Sequence, residues 1–117
     1  MILQVNREET AALTLHMSIM RASFRNLLKK QYKANKDKLL VAYDYVHKTA
    51  IELLESDLER SEMHLNINDL EVLEAFLKAY TAKLEGVLKE AKLNVEDEEQ
   101  LEILQRIQKK CEDLAAA

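Results

Sequence analysis

The sequence contains no proline and no tryptophan, and it has a single glycine, Gly86, and a single cysteine, Cys111. Because the usual helix breakers are nearly absent, the helix boundaries have to be inferred from capping residues and from the phase of the apolar residues. One cysteine excludes an internal disulfide. The N-terminus carries neither a basic start nor a long apolar stretch, so no signal peptide is visible and we expect a cytoplasmic protein.

Long apolar runs are also missing. The longest extends from Leu39 to Tyr43, whereas a membrane-spanning helix needs about 20 apolar residues. We therefore expect no membrane partner.

Leucine, alanine, glutamate and lysine are abundant, as is typical of a helical bundle. At 117 residues, the chain is long enough to bury about two thirds of its unfolded surface in one domain. Folding should therefore require no cofactor and no metal. The composition resembles that of accessory proteins of bacteria and their phages.

Three stretches repeat one pattern: an apolar residue, an amide, a β-branched residue and a residue that can cap a helix. They are Leu3-Gln4-Val5-Asn6, Leu65-Asn66-Ile67-Asn68 and Leu93-Asn94-Val95-Glu96. A glutamate stands three places after each cap position, as a capping box requires. These glutamates are Glu9, Glu71 and Glu99. We therefore predict helix entrances capped at Asn6, Asn68 and Glu96.

The apolar residues of the first two entrances have two interpretations. Leu3 and Val5 could pair with Leu65 and Ile67 in a small two-stranded sheet. They could instead act only as hydrophobic staples at the starts of the helices.

Apolar periodicity predicts four helices. In the first, the stripe ends at Leu27 and the helix ends near residues 32–34. The second stripe, from Leu39 to Leu58, is out of phase with the first, so we predict a turn around residues 35–37. The four stripes consist of Leu13, Met17, Met20, Phe24 and Leu27; of Leu39, Tyr43, Val46, Ala50 and Leu53, widened by Ile51, Leu54 and Leu58; of Leu70, Leu73, Leu77, Tyr80, Leu84, Val87 and Ala91; and of Leu101, Leu104, Ile107, Cys111 and Leu114.

The predicted fold is all-α: an antiparallel four-helix bundle built from two helical hairpins in one domain over residues 1–117. Hairpin one covers about residues 6–62 and hairpin two about residues 68–115. Two interpretations of the third helix stay open. Its apolar stripe is widened by Val72, Phe76 and Ala79, which would contact either a second helix of the same chain or another chain. Gly86 marks either a close helix crossing or a position where glycine is merely tolerated.

Positive charge is concentrated in one part of the chain. Residues 21–38 carry seven basic side chains and one acidic one, a net charge of +6, whereas residues 39–117 carry nine basic and eighteen acidic ones, a net charge of −9. Arg21, Arg25, Lys29 and Lys33 share one helix face because they are spaced four residues apart.

Within the predicted first hairpin, Asp44 is the main acid besides Asp37 that this basic face would meet. We therefore expect that the hairpin cannot neutralise its own positive charge. A solvated face, or compensation by acidic residues of the second hairpin, is the simpler interpretation, and an external acidic partner is the functional one.

Signals for chemistry are weak. Asp44 and His47 have the spacing of two metal ligands on one helix, but His16 and His64 have no carboxylate at the matching place, so we predict no metal site. We expect His16 to be exposed and His64 to lie in a connector. Cys111 falls on an apolar stripe and is predicted to be a core residue. Met17, Met20 and Phe24 are also interpreted as core residues, with an adaptable binding surface as the alternative.

No catalytic motif is present, so we predict a non-catalytic interaction protein, an adaptor or inhibitor. It would bind an acidic protein surface through Arg21, Arg25, Lys29 and Lys33. The alternatives are a nucleic-acid-binding bundle that uses the same face, and a self-associating structural protein such as a homodimer. The net charge of −4 and the isoelectric point of 5.4 count against nucleic acid.

Overall fold

A computed structural model describes residues 1–90 and 95–117, and the side chains of residues 89, 90 and 95 are not described. Along the chain the elements are β1 (Ile2–Asn6), α1 (Arg7–Gln31), α2 (Lys36–Glu55), β2 (Arg60–His64), α3 (Ile67–Glu90) and α4 (Val95–Ala116). The helix pairs α1 with α2 and α3 with α4 pack closely, which confirms the predicted all-α bundle of two hairpins. Within the described ranges, no helix is long and apolar enough to cross a bilayer.

The bundle is closed by contacts between the hairpins, since α2 also packs on α3 and α1 on α4. The predicted turn of the first hairpin is confirmed, because α1 ends at Gln31 and α2 begins at Lys36. Asn35 precedes α2 without making a side-chain capping bond. The start of α2 therefore lacks the stabilisation that a capping side chain provides.

The first predicted entrance is confirmed as a capping box. The side chain of Asn6 accepts a hydrogen bond from the Glu9 N–H at 2.8 Å, and the Asn6 N–H donates to the Glu9 carboxylate at 2.9 Å. Two backbone donors at the start of α1 are thereby satisfied.

The second entrance was predicted two residues too late. Asn66, and not Asn68, caps α3: its side chain accepts from the Asp69 N–H at 2.8 Å, and its own N–H donates to the Asp69 carboxylate at 2.9 Å. Aspartate at this position replaces the glutamate of the usual box, so Glu71 is not the box residue.

The third predicted entrance falls partly outside the described residues, which leave out Leu93 and Asn94. Because α4 begins at Val95, the predicted cap Glu96 lies inside the first turn of the helix. Ala91, the last predicted residue of the third stripe, also lies outside the described part of the chain.

A two-stranded antiparallel sheet joins the two ends of the first hairpin. Leu3 pairs with Met63 and Val5 with Ser61. Of the two interpretations of the first two entrances, the sheet is correct for Leu3 and Val5. The partner strand is Arg60–His64, however, so Ile67 lies in α3 and not in a strand. Leu65 extends the pairing by one step, since its N–H donates to the Met1 carbonyl at 2.8 Å.

Aromatic side chains connect the hairpins at the centre of the core. Phe24 of α1 and Tyr43 of α2 both contact Phe76 of α3, with ring centroids 5.3 Å and 5.9 Å apart. Tyr43 is fully buried and donates its hydroxyl to the Met17 carbonyl at 2.6 Å. The interpretation of Met17 and Phe24 as core residues is confirmed.

The apolar flank of α3 is mostly used inside the chain, because Val72 and Phe76 are buried and only Ala79 is exposed. Two stripe residues were predicted wrongly. Val87 is 51% exposed near the end of α3, and Leu58 is 57% exposed beyond the end of α2. Gly86 has no atom within 4 Å of the place where a Cβ would lie, so no close helix crossing requires it.

Glu9 ties β1, α1 and α4 together. Its carboxylate is completely buried and accepts hydrogen bonds from Lys110 at 2.8 Å and from Arg106 at 3.1 Å, besides the capping bond from Asn6. Lys110 also donates to the Gln4 carbonyl of β1 at 2.9 Å. Burial alone would raise the pKa of Glu9, but these hydrogen bonds outweigh it and the pKa is lowered.

We expect Glu9→Gln to lower the free energy of unfolding by about 2 kcal/mol, because charge-assisted hydrogen bonds to both cations are lost from a buried group. Glu8→Gln is the matched control. Glu8 is 59% exposed, and among the described residues its ion-pair partner is Arg106, so its loss should cost less than about 1 kcal/mol. Urea unfolding at pH 7 measures both values, and equal losses would contradict the role assigned to Glu9.

The effect of Glu9→Gln should depend on pH. Since the pKa of Glu9 is lower in the folded state than its ordinary value of 4.5, the unfolded chain binds more protons between the two values. The stabilisation by Glu9 is complete above the unfolded value and is lost as the pH falls through the folded one. The difference between wild type and Glu9→Gln in urea unfolding should therefore shrink progressively on acidification below about pH 4.5.

The cap of α3 has a simple test. Asn66→Ala should cost about 1 kcal/mol of stability, because the Asp69 N–H loses its acceptor. Asn68→Ala should change stability by less than about 0.5 kcal/mol. Thermal or urea unfolding distinguishes the two, and a larger loss for Asn68→Ala would restore the cap position predicted from the sequence.

Candidate interaction surface

The predicted basic face is divided in two by the fold. Arg21 and Arg25 of α1 share the carboxylate of Asp44 on α2, at 3.2 Å and 3.0 Å. Lys29 is exposed in the last turn of α1, and Lys33 lies beyond the end of the helix, in the turn before α2. The four predicted residues thus form two groups, and Asp44 partly neutralises the first.

Lys29 and Lys33, the second group, belong to a larger set of lysines. Five of them surround the α1–α2 turn, and all five are exposed. None forms an ion pair within residues 1–90 and 95–117, although ion pairs occur elsewhere in the same part of the chain. We refer to this set as the basic surface; it consists of Lys29, Lys30, Lys33, Lys36 and Lys38.

The basic surface is electrostatically unfavourable where α2 begins. Lys36 and Lys38 lie in the first turn of α2, where the helix dipole is positive and favours acidic side chains. Asp37 is the single acid there, so residues 29–38, with five lysines and one aspartate, carry a net charge of +4. The lysines in the last turn of α1 are favourably placed for the dipole of that helix, so the electrostatic cost falls at the start of α2.

His16 is buried, so the prediction of an exposed imidazole was wrong. It is 7% exposed, and its ring nitrogens contact the Tyr80 hydroxyl at 3.0 Å and the Gln100 side-chain oxygen at 2.8 Å. It is off the main stripe of α1 because it faces α3 and α4 instead of α2. Burial and the nearby charge of Asp97 raise the pKa of Tyr80.

His47 has a polar partner that sequence spacing did not indicate. Its Nε2 lies 2.8 Å from the hydroxyl of Ser18. That hydroxyl donates its one proton to the Thr14 carbonyl at 2.7 Å, so it accepts from Nε2. A serine and a histidine at this distance have the separation of a nucleophile and its base. Both, however, lie in helix interiors, where backbone N–H groups bond within the helix and are not free to stabilise an oxyanion.

Asp44 does not act with His47 as a metal ligand pair, because its carboxylate binds two arginines. In the part of the chain that the structure describes, no group of three or more histidine, cysteine, aspartate or glutamate side chains could hold a metal ion. His64 ends β2 with an exposed side chain, and its carbonyl accepts a hydrogen bond from the Tyr45 hydroxyl.

Cys111 is confirmed as a core residue, with no exposed surface. Burial raises the pKa of its thiol to about 12, and the neighbouring carboxylates of Glu74 and Glu112 act in the same direction. Because the thiolate is the reactive form, this cysteine is not an activated nucleophile.

The thiol of Cys111 should therefore react with Ellman's reagent at pH 8 far more slowly in the native protein than in 8 M urea. We expect protection of at least about a hundredfold, since reaction requires opening of the core. Fast labelling of the folded protein would contradict the buried, protonated state. Labelling of free glutathione in the same urea solution controls for the effect of the denaturant on the reagent.

Similarity to other proteins gives no help in assigning this surface. Comparison with family models, with curated proteins and with solved structures found no match to the chain. A function therefore has to be argued from the charges, burial and shape of the molecule itself.

Proposed function

We propose that this chain is a small, non-catalytic interaction protein, of the adaptor or inhibitor type, that binds an acidic protein surface through the basic surface around its α1–α2 turn. The observation that carries the proposal is that five exposed lysines there have no ion pair within the described residues. A cytoplasmic location remains part of the proposal.

The distribution of charge favours a specific acidic partner. Arg21 and Arg25 already have a carboxylate in Asp44, so they are less available to a partner than the lysines are. Lys36 and Lys38 oppose the dipole of α2, and an acidic partner would relieve that repulsion. Complementary charge of this kind mainly accelerates association and selects the partner.

The two alternatives have weaker support. Nucleic acid would meet the net charge of −9 on residues 39–117 as well as the lysines, and phosphate binding favours basic domains. Self-association through the flank of α3 would need Val72 and Phe76, and both side chains are buried inside the chain.

The proposal can be tested with a random library of 12-residue peptides panned against the immobilised protein. Selected peptides should be rich in aspartate and glutamate. The triple variant Lys30→Glu, Lys33→Glu, Lys36→Glu should bind them at least tenfold more weakly, because several exposed ion pairs of up to about 1 kcal/mol each become repulsive. Fluorescence anisotropy measures the affinities, and circular dichroism checks that the fold is kept.

A matched control changes the net charge equally on other elements. Arg60→Glu, Lys83→Glu, Lys109→Glu alters three exposed cations of β2, α3 and α4. It should leave peptide affinity within about twofold, because none of the three belongs to the basic surface or lines a pocket with a residue of the α1–α2 turn. If the two triple variants lose affinity equally, the basic surface is not the binding site. Binding of a 20-base-pair DNA duplex at 50 mM NaCl, with no selection of acidic peptides, would establish the nucleic-acid alternative instead.

A further inference from the structure

A groove opens next to the basic surface. It has a volume of about 770 Å³, and its walls are α2 on one side and the end of β2 with the start of α3 on the other. Asp37 lies at one end of the α2 wall, and the rest of that wall consists of Lys38, Val41, Ala42 and Tyr45. They follow the spacing i, i+3, i+4 and i+7, so they lie on one face of the helix. Because Lys38 also belongs to the basic surface, the two features are continuous.

Beyond Lys38, the α2 wall of the groove continues with apolar side chains. Val41 is 71% exposed and Tyr45 43% exposed, whereas Leu65 in the opposite wall is only 4% exposed. A single exposed aliphatic residue is ordinary, but here large apolar side chains stand on both sides of one concave surface.

The shape of the groove is held by polar contacts across and within its walls. The Tyr45 hydroxyl donates to the His64 carbonyl at 3.0 Å and so bridges α2 and β2. Asp69, also in the wall, is 4% exposed, and its carboxylate is used by the capping bond from Asn66. A partner that enters the groove therefore meets a formed site, which lowers the cost of binding.

We infer that this groove and the basic surface together bind one segment of a protein partner, an acidic peptide that carries an aliphatic or aromatic side chain. Its carboxylates lie on Lys36 and Lys38, and its apolar side chain enters the groove between Val41 and Leu65. The inference rests on the proposed function and adds the class of ligand. Charge complementarity with the lysines argues for the acidic part, and the apolar side chains of the groove argue for the anchor.

The anchor has its own test, made on the acidic peptides selected above. The variant Val41→Gln removes the most exposed apolar side chain of the groove lining without changing any charge, and the fold is preserved because Val41 is 71% exposed. Affinity should fall about tenfold, as expected for loss of one buried apolar contact. Replacing the single large apolar residue of each peptide by serine should cause a similar loss, and combining both changes should add little.

Ile19→Gln is the matched control. Ile19 is 62% exposed on α1 and lies outside the groove lining, so affinity should stay within twofold. Backbone amide chemical shifts on peptide titration should change over residues 38–45 and 64–68. Loss of affinity in the groove variant, with retention in the control, supports the inference.

Three other results would overturn it; the first leaves the proposed function standing and the other two do not. Acidic peptides that bind wild type and the groove variant equally, yet fail to bind the lysine variant, would reject the groove and keep the proposed function. Failure to select acidic peptides at all would reject both. Selection of neutral apolar peptides that ignore the lysine changes would likewise reject both.

Discussion

The buried carboxylate of Glu9 is the point through which strand, first helix and last helix are held in place. A completely buried charge costs several kcal/mol unless it is paired and hydrogen-bonded. Here the cost is offset by three donors: the Asn6 amide 2.9 Å away, Lys110 at 2.8 Å and Arg106 at 3.1 Å. The first donor belongs to the start of α1, and the other two come from α4. The Glu9 carboxylate therefore links the position of α4, in the second hairpin, to the N-terminal cap of α1, in the first.

A cluster of three aromatic rings in the core joins the helices in addition to the polar contacts of Glu9. Phe24, Tyr43 and Phe76 come from three different helices, and each ring lies within 6 Å of the others, at 5.5, 5.3 and 5.9 Å. Aromatic pairs at such distances add to stability beyond the area that they bury. Because both systems lie inside the molecule, the basic surface at the α1–α2 turn is not needed for the core, and its charge is free to vary without loss of fold.

The features that could be predicted from the sequence are those that depend on interactions between residues close together in the chain. The capping box of Asn6 and Glu9 follows from residues three apart, and the phase break around residue 35 follows from stripe periodicity. The cap of α3 was ambiguous, because Asn66 and Asn68 each have an acid three residues later. Pairing of Leu65 with Met1 decides the question, since it places the end of the extended segment at Leu65. That contact joins residues 64 positions apart in the sequence, which no local pattern contains.

The same reason explains what was missed at the candidate site. The environment of His16 is made by Tyr80 and Gln100, which are 64 and 84 positions away. The pairing of Asp44 with Arg21 and Arg25 was easier to predict, because the predicted hairpin already placed Asp44 opposite the basic face of α1. The groove beside Lys38 depends on how β2 and α3 pack against α2. Local sequence patterns do not give this packing, so the groove could not be predicted from them.

The pairing of β1 with β2 has a consequence for how the chain reaches this state. The two strands clasp the ends of the first hairpin, so that residues 1–65 form a loop closed by its own backbone hydrogen bonds. Closing so long a loop is entropically costly and is recovered only when the enclosed helices have already shortened it. We therefore expect strand pairing to follow formation of the first hairpin. The Gln4 carbonyl of β1, to which Lys110 donates, would then be in place for α4 only after the strands have paired.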